Sequence, residues 1–374
     1  MSLPKVGTSL THWLFTPLAG VTFGGWIGLL RRHGRTISPR YWPRSLFTTF
    51  MSPLNSAVSR LEERRFSARI AEMRVERPIF VIGHHRSGTS HLWNLLSLDP
   101  RFAYPTVLQA VFPATFLTFE GLVRGLARRV VPRVRPQDAM TFSADSPLEQ
   151  ERAICASCFL SMQMARHFPR NWQAFKRYLT LRDGSAEECA AWTSAVDRFA
   201  RKLLVRQGAE KTLMFKAPDD TGKIALILSL YPDARFVHIH RNPYEVYRST
   251  MKMERTTLPL YAYQAPDEDK LEPFVLWRYR AMYEAFLHDR PKIPAGQFVE
   301  VSFDALDRDP VATVAGIYDA LDLRDFDRVA PRLEAYLESL SDYKKNAYAQ
   351  MDDEVRRRVH AAWRPFFEHW AYPA

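Results

Sequence analysis

The chain has 374 residues, enough to bury a large core in one domain or two, and its composition is that of an ordinary globular protein. With 52 basic against 41 acidic residues the formal charge is +11, which calls for an anionic partner. The positives are arginines spread over many helices with no zinc-finger or RNA-binding signature, so a polyanionic cofactor plus a membrane surface explains them and nucleic acid is not expected; the three cysteines exclude a disulfide framework.

From Trp13 to Leu30 there is no charged residue for 18 positions, and Arg31-Arg32 follow. That length is at the threshold for a membrane span. Pro17 and the glycines Gly20, Gly24, Gly25 and Gly28 make it a poor spanning helix, so a buried or interfacial segment is expected, with a span as the alternative. Only Lys5 precedes the run and no clean cleavage site follows, which argues against a signal peptide. Residues 31–69 set aromatics beside arginines (Tyr41-Trp42-Pro43, Phe47, Phe50). They read as helices that lie on a bilayer surface or pack on the enzyme or on a second subunit. Glu62-Glu63-Arg64-Arg65 reads as a solvated helix face.

Ile79 to Ile82 is a short apolar strand. A tight turn opens at Gly83, and Gly88-Thr89-Ser90 starts a helix. A strand, loop and helix N-terminus in that order make an anion site. The Gly83–Ser90 spacing is that of a P-loop, but Thr89 stands where nucleotide-triphosphate enzymes carry lysine, and Arg86 supplies a cation inside the loop. This favours a nucleotide other than ATP. Asp99-Pro100 and Pro105 then stop regular structure; Val107–Leu117 and Gly121–Arg135 are expected to be helices over the cofactor cleft.

Pro147 is expected to open a helix with Glu149 and Glu151 in its first turn, where acids suit the helix dipole. The following stretch, Ala153 to Met164, reads as a buried helix carrying Cys155 and Cys158 as core thiols of a reducing, cytoplasmic compartment. Trp172–Leu181 and Glu187–Gln207 read as amphipathic helices. Leu213–Lys216 is an apolar strand ending in a lysine, which is costly there unless it meets an anion. Arg235–Ile239 is a further strand running to Arg241, with a helix from Pro243 and Ser249 two turns along. Gln297–Phe303 is the last strand, followed by amphipathic helices over Val311–Leu321 and around Trp363, Phe366, Phe367 and Trp370.

Arg86-Ser87-Gly88-Thr89-Ser90 resembles the 5′-phosphosulfate loop of the sulfotransferases, R/K-S-G-T-T/S, and the bacterial members of that family are the most similar. Arg241 and Ser249 have the spacing of the family's 3′-phosphate pair. The resemblance covers roughly residues 77 to 372 and implies an α/β fold: P-loop nucleotide-kinase-like, three layers, a central mainly parallel sheet with helix-rich insertions. It divides the chain into a helical N-terminal extension, 1–70, possessing any membrane-surface contact, and a sulfotransferase domain, 71–374. The co-substrate it implies is 3′-phosphoadenosine-5′-phosphosulfate (PAPS), giving 3′-phosphoadenosine 5′-phosphate (PAP), with no metal. Cofactor-binding residues would be Arg86, Ser87, Gly88, Thr89, Ser90, Arg241 and Ser249, with Lys344 and Lys345 in a late basic loop. Catalytic roles would fall to Lys216 and Arg86 on the sulfuryl group and to Glu149 or Glu151 as base.

The sequence departs from the family at Gln150 and Arg152, at Pro218, where cytosolic eukaryotic members have histidine, and at Asp220, which makes Asp220 a third candidate base. The apolar, aromatic-rich helices expected around the cleft suggest a hydrophobic, lipid-like small molecule as acceptor, through its hydroxyl or amine, rather than a polysaccharide. A kinase-like phosphotransferase and a non-catalytic membrane-surface protein stay open beside it, as does an oligomer.

Overall fold

The computed structural model describes residues 18–130, 143–340 and 351–374. Its sheet has five parallel strands: β1 (Ile79–Ile82), β2 (Phe102–Ala103), β3 (Thr212–Lys216), β4 (Arg235–His240) and β5 (Phe298–Ser302), in the order β2-β3-β1-β4-β5. All four residues of β1 are buried, as a strand inside a parallel sheet requires, and Phe80 packs against Phe215 and Phe236 from its two neighbours. β5 is the half-buried edge. The register sets Val81 beside Lys216 and Ile82 beside His238. Lys216 and Arg241 therefore leave their strands at the same end as the loop that follows Ile82.

The chain forms two compact units whose segments alternate. One comprises residues 76–103, 211–251 and 272–374 and holds the whole sheet. Its C-terminal helix Asp353–His369 buries Trp363, Phe366 and Phe367, with Trp363 stacked 3.8 Å from Tyr279 between ring centroids. Arg101, Asp99 and Tyr318 make a second fixed point: the carboxylate of Asp99 accepts from both, and their hydrogen bonds hold it below the carboxylate range against the upward push of burial.

The other unit comprises residues 1–75, 104–210 and 252–271, and the elements among its described residues are helices. The helix Phe23–His33 buries Trp26, whose indole N–H donates to Thr49 Oγ1 at 2.8 Å. Asn55 Nδ2 ties down the Ala19 and Val21 carbonyls at 2.7 and 3.0 Å. The described part of the uncharged segment 13–30 is thus a buried turn and the start of an 11-residue helix that runs on through Arg31 and Arg32. Among the described residues no helix is long and apolar enough to cross a membrane.

Several sequence expectations need correction. Glu62 is not solvated: it is buried, ion-pairs with Lys202 and accepts the Thr118 N–H at 3.0 Å. Pro147 does not open a helix, because the chain there runs alongside Thr106, with Leu148 N donating to Pro105 O at 2.9 Å. The helix begins at Gln150, so Glu149 is its N-cap and Glu151 alone lies in the first turn. That helix ends at Cys158, because Phe159 turns left-handed, φ 61°. Trp172–Leu181 lies largely in 3₁₀ turns, Pro169–Leu179, with Asn171 out of helical geometry. The run 107–117 breaks into Val107–Val111 and the start of Phe116–Val130. The cysteines are free, and burial pushes the Cys155 thiol well above its usual pKa. Lys344 and Lys345 lie outside the described residues.

Candidate nucleotide-binding and active site

The loop after β1 is built by two glycines in conformations that side chains avoid. Gly83 has φ 137°, and a Cβ there would run into the Ile239 carbonyl oxygen. Gly88 has φ 106°, and a Cβ would sit 2.5 Å from Phe303 Cδ2. Between them Arg86 also takes a positive φ, 70°, and the Ser87 N–H and hydroxyl both donate to His84 O, at 3.1 and 2.8 Å. Gly88 is the N-cap of helix Thr89–Leu96 and has no side chain to cap it, so the first-turn N–H groups suit an anion.

Cations converge on this loop. Arg86 Nε donates to Ser249 Oγ at 2.8 Å. The Arg241 guanidinium lies 4.2 Å from the centroid of the Phe303 ring, with NH1 3.5 Å from Arg86 O. Glu245 lies 3.7 Å from Arg241 and also pairs with Arg248. Lys216 is buried; its Nζ is 3.2 Å from Ser90 Oγ and 5.4 Å from the Trp93 ring centroid. So Arg86, Ser87, Gly88, Thr89, Ser90, Lys216, Arg241 and Ser249, predicted from three separate stretches, meet at one end of the sheet. Glu149 and Glu151 belong to the other unit. Glu151 is buried and accepts from Ser161 Oγ at 2.6 Å, whereas Glu149 is half-buried.

The sequence did not disclose what holds the loop from behind. Gly83 N donates to Thr221 Oγ1 at 2.7 Å, and His84 N donates to the Tyr283 hydroxyl at 3.1 Å. Buried Arg278 pairs with buried Asp219, and His85 Nε2 lies 3.7 Å from the same carboxylate oxygen. Burial would raise the Asp219 pKa, but the Arg278 charge and the His85 hydrogen bond hold it well below the carboxylate range. Thr221 was readable as part of a polar stretch after β3; nothing in the sequence marks Arg278 or Tyr283. Among the described residues no group of three His, Cys, Asp or Glu gathers in a way that could hold a metal ion.

Two buried histidines of this unit, His84 and His238, and half-buried His240 are shifted toward the neutral form. Burial lowers His84 well below 6.5, lowers His238, and takes His240 to about 4. Glu300 falls to about 2: burial raises it, but the His238 hydrogen bond at 2.8 Å and the nearby charges win. Each histidine binds its proton better unfolded, so its contribution to stability is complete above about pH 6.5 and is lost as pH falls toward its folded value. Glu300, depressed in the fold, keeps its contribution above about pH 4.5 and loses it toward about pH 2. The unfolding free energy should therefore begin to fall below about pH 6.5, by up to about 1.4 kcal/mol per pH unit for each histidine, and the denaturation midpoint with it, before the carboxylates titrate. A midpoint constant from about pH 7 to about pH 5 would contradict the buried neutral state.

Comparison with known proteins gives a consistent result. Residues 78–328 match the profile described as the sulfotransferase family. The omega-hydroxy-beta-dihydromenaquinone-9 sulfotransferases Stf3 of Mycobacterium bovis and Mycobacterium tuberculosis are each 30% identical over 362 residues, spanning 96% of this chain and 92% of theirs. Among solved structures, sulfotransferase STF9 from Mycobacterium avium aligns over 94% of this chain and 96% of its own with a TM-score of 0.68 at 18% identity. Sulfotransferase STF1 from Mycobacterium tuberculosis aligns over 96% and 98% with a TM-score of 0.63 at 20% identity. These two likenesses concern the fold.

Proposed function

The chain belongs to the sulfotransferase family, and we propose that it transfers the sulfuryl group of PAPS to the hydroxyl of a lipid-like alcohol in a reducing, cytoplasmic compartment. PAPS is the donor the family implies. The acceptor class is supported by the relative at 30% identity, whose name specifies a hydroxylated menaquinone. The free cysteines suit a reducing compartment.

The observation that carries the donor site is the cluster of Arg86, Ser249 and Arg241 beside a P-loop that lacks its lysine. A 3′-phosphate calls for a fork-shaped cation and a hydroxyl, which Arg241 and Ser249 would supply. The 5′ end would rest on Arg86 and the N–H groups of residues 87–90. In the reaction the acceptor O–H gives its proton to a carboxylate and its oxygen bonds to sulfur. The bond from sulfur to the 5′-phosphate oxygen breaks, and PAP leaves. Lys216 and Arg86 would meet the charge that builds on the sulfuryl and leaving oxygens. Backbone dipoles at the helix start add to that field.

Glu149 is the preferred base. Glu151 is enclosed and has one oxygen engaged by Ser161, a structural use. Glu149→Gln should bind PAP as the wild type does and lose roughly two to four decades of rate, read by transfer of labelled sulfate. Wild-type turnover in that variant would remove Glu149 and turn attention to Glu151 and Asp220. The acceptor class is tested by offering hydroxylated isoprenoid quinols and hydrophilic sugars side by side; transfer to the sugars alone would overturn it.

A further inference from the structure

The helix Trp42–Glu72 is inside out. Apart from Ile70 in its last turn, its buried residues are polar: Arg44, Thr48, Ser52, Asn55 and Glu62. Five of its large apolar residues face outward: Trp42, Leu46, Phe50, Leu54 and Leu61 are between 51% and 79% exposed, while Phe47 packs against the core at Val107, Leu108 and Phe112. At 3.6 residues per turn these five fall within an arc of about 120°, opposite the polar set. The polar side has a structural cause. Arg44 donates to Ala262 O at 2.6 Å, Asn55 holds two carbonyls, and Glu62 pairs with Lys202. The apolar side has none among the described residues, and Phe23, 44% exposed, stands next to it with its N–H on Ser56 Oγ at 2.8 Å.

We propose that this face is a docking surface for an anionic lipid bilayer. Charge selects that occupant. The first 61 residues contain no aspartate or glutamate, although the chain has 41, and they carry six arginines and one lysine. Arg60 and Arg64 are exposed and share the arc of the apolar stripe. An apolar stripe with a basic end, in a stretch without acids up to Leu61, suits the headgroup boundary of a negatively charged membrane; Glu63 and Glu72 lie beyond the stripe. The helix lies in that boundary, since no described helix is suited to cross. A second copy of the chain would bring the same positive charges against themselves. The surface is independent of the donor site, and its partner is the membrane itself, whatever the acceptor proves to be.

The test is flotation of the full-length protein with phosphatidylcholine vesicles, with and without phosphatidylglycerol. The wild type should float with the anionic vesicles and far less with neutral ones. The triple variant Leu46→Ser/Phe50→Ser/Leu54→Ser should lose about a hundredfold in partition, near fivefold for each large side chain taken from the interface. Arg60→Ala/Arg64→Ala should lose about fivefold per arginine, on anionic vesicles alone. All substituted positions are exposed, so unchanged thermal midpoints and PAP binding verify folding. A wild type that stays at the bottom of the gradient with both vesicles overturns the proposal. So does a wild-type dimer without vesicle binding that the triple variant dissociates, which would assign the face to a second copy. Flotation reads no turnover, so its failure leaves sulfuryl transfer standing, and failure of transfer leaves the docking result standing.

Discussion

Arg241→Ala should weaken PAP binding by about a hundredfold and leave adenosine 5′-monophosphate binding unchanged. A bidentate arginine–phosphate contact contributes about 3 kcal/mol, and each 1.4 kcal/mol is about a factor of ten. The contrast between the two nucleotides isolates the 3′-phosphate, the group that separates them. The guanidinium rests on the Phe303 ring and is 23% exposed, so its removal opens no large cavity. Arg241→Lys should recover only part of the affinity, because a single ammonium cannot reproduce the fork. Titration calorimetry of both variants with both nucleotides checks this. Equal weakening for both nucleotides would mean that Arg241 shapes the loop through its contact with Arg86 O. No weakening would remove it from the site.

Lys216→Met should lower kcat by about two to three decades with PAP affinity nearly unchanged, the scale of removing one preorganised charge that acts in the transition state. The reason lies in where the lysine is. It ends β3, is 2% exposed, and stands over the Trp93 ring beside Ser90 Oγ. An ammonium that deep is costly unless an anion meets it. Methionine is unbranched and only one atom shorter, so it fills most of the same space while removing the charge, and packing loss stays small. Single-turnover transfer of labelled sulfate separates chemistry from binding. A fall in PAP affinity with kcat preserved would make Lys216 a ground-state phosphate ligand instead.

The parallel sheet was legible because buried strands are continuous apolar runs: Ile79–Ile82 agrees at both ends, and β3, β4 and β5 agree to within a residue. Strand β2 was not, since two residues after Asp99-Pro100 carry no pattern. The loop residues and the Arg241/Ser249 pair could be read since each follows its strand at a fixed spacing. The supports behind them could not. Thr221, Arg278 and Tyr283 reach the loop from 138, 193 and 199 positions away, and no local pattern encodes such pairs. Glu62 failed for the opposite reason: beside exposed Glu63, Arg64 and Arg65 it alone is drawn inward, by a distant lysine, Lys202. Pro147 failed because a β-bridge to Thr106 overrode its helix-starting preference.

The most direct measurement is calorimetric titration of the wild-type protein with PAP, against adenosine 5′-monophosphate as control. Micromolar PAP binding, with the monophosphate weaker by about two decades, is expected if Arg241 and Ser249 read a 3′-phosphate beside the loop at Gly83. Equal affinity for the two nucleotides, or no PAP binding by the folded protein, would contradict it.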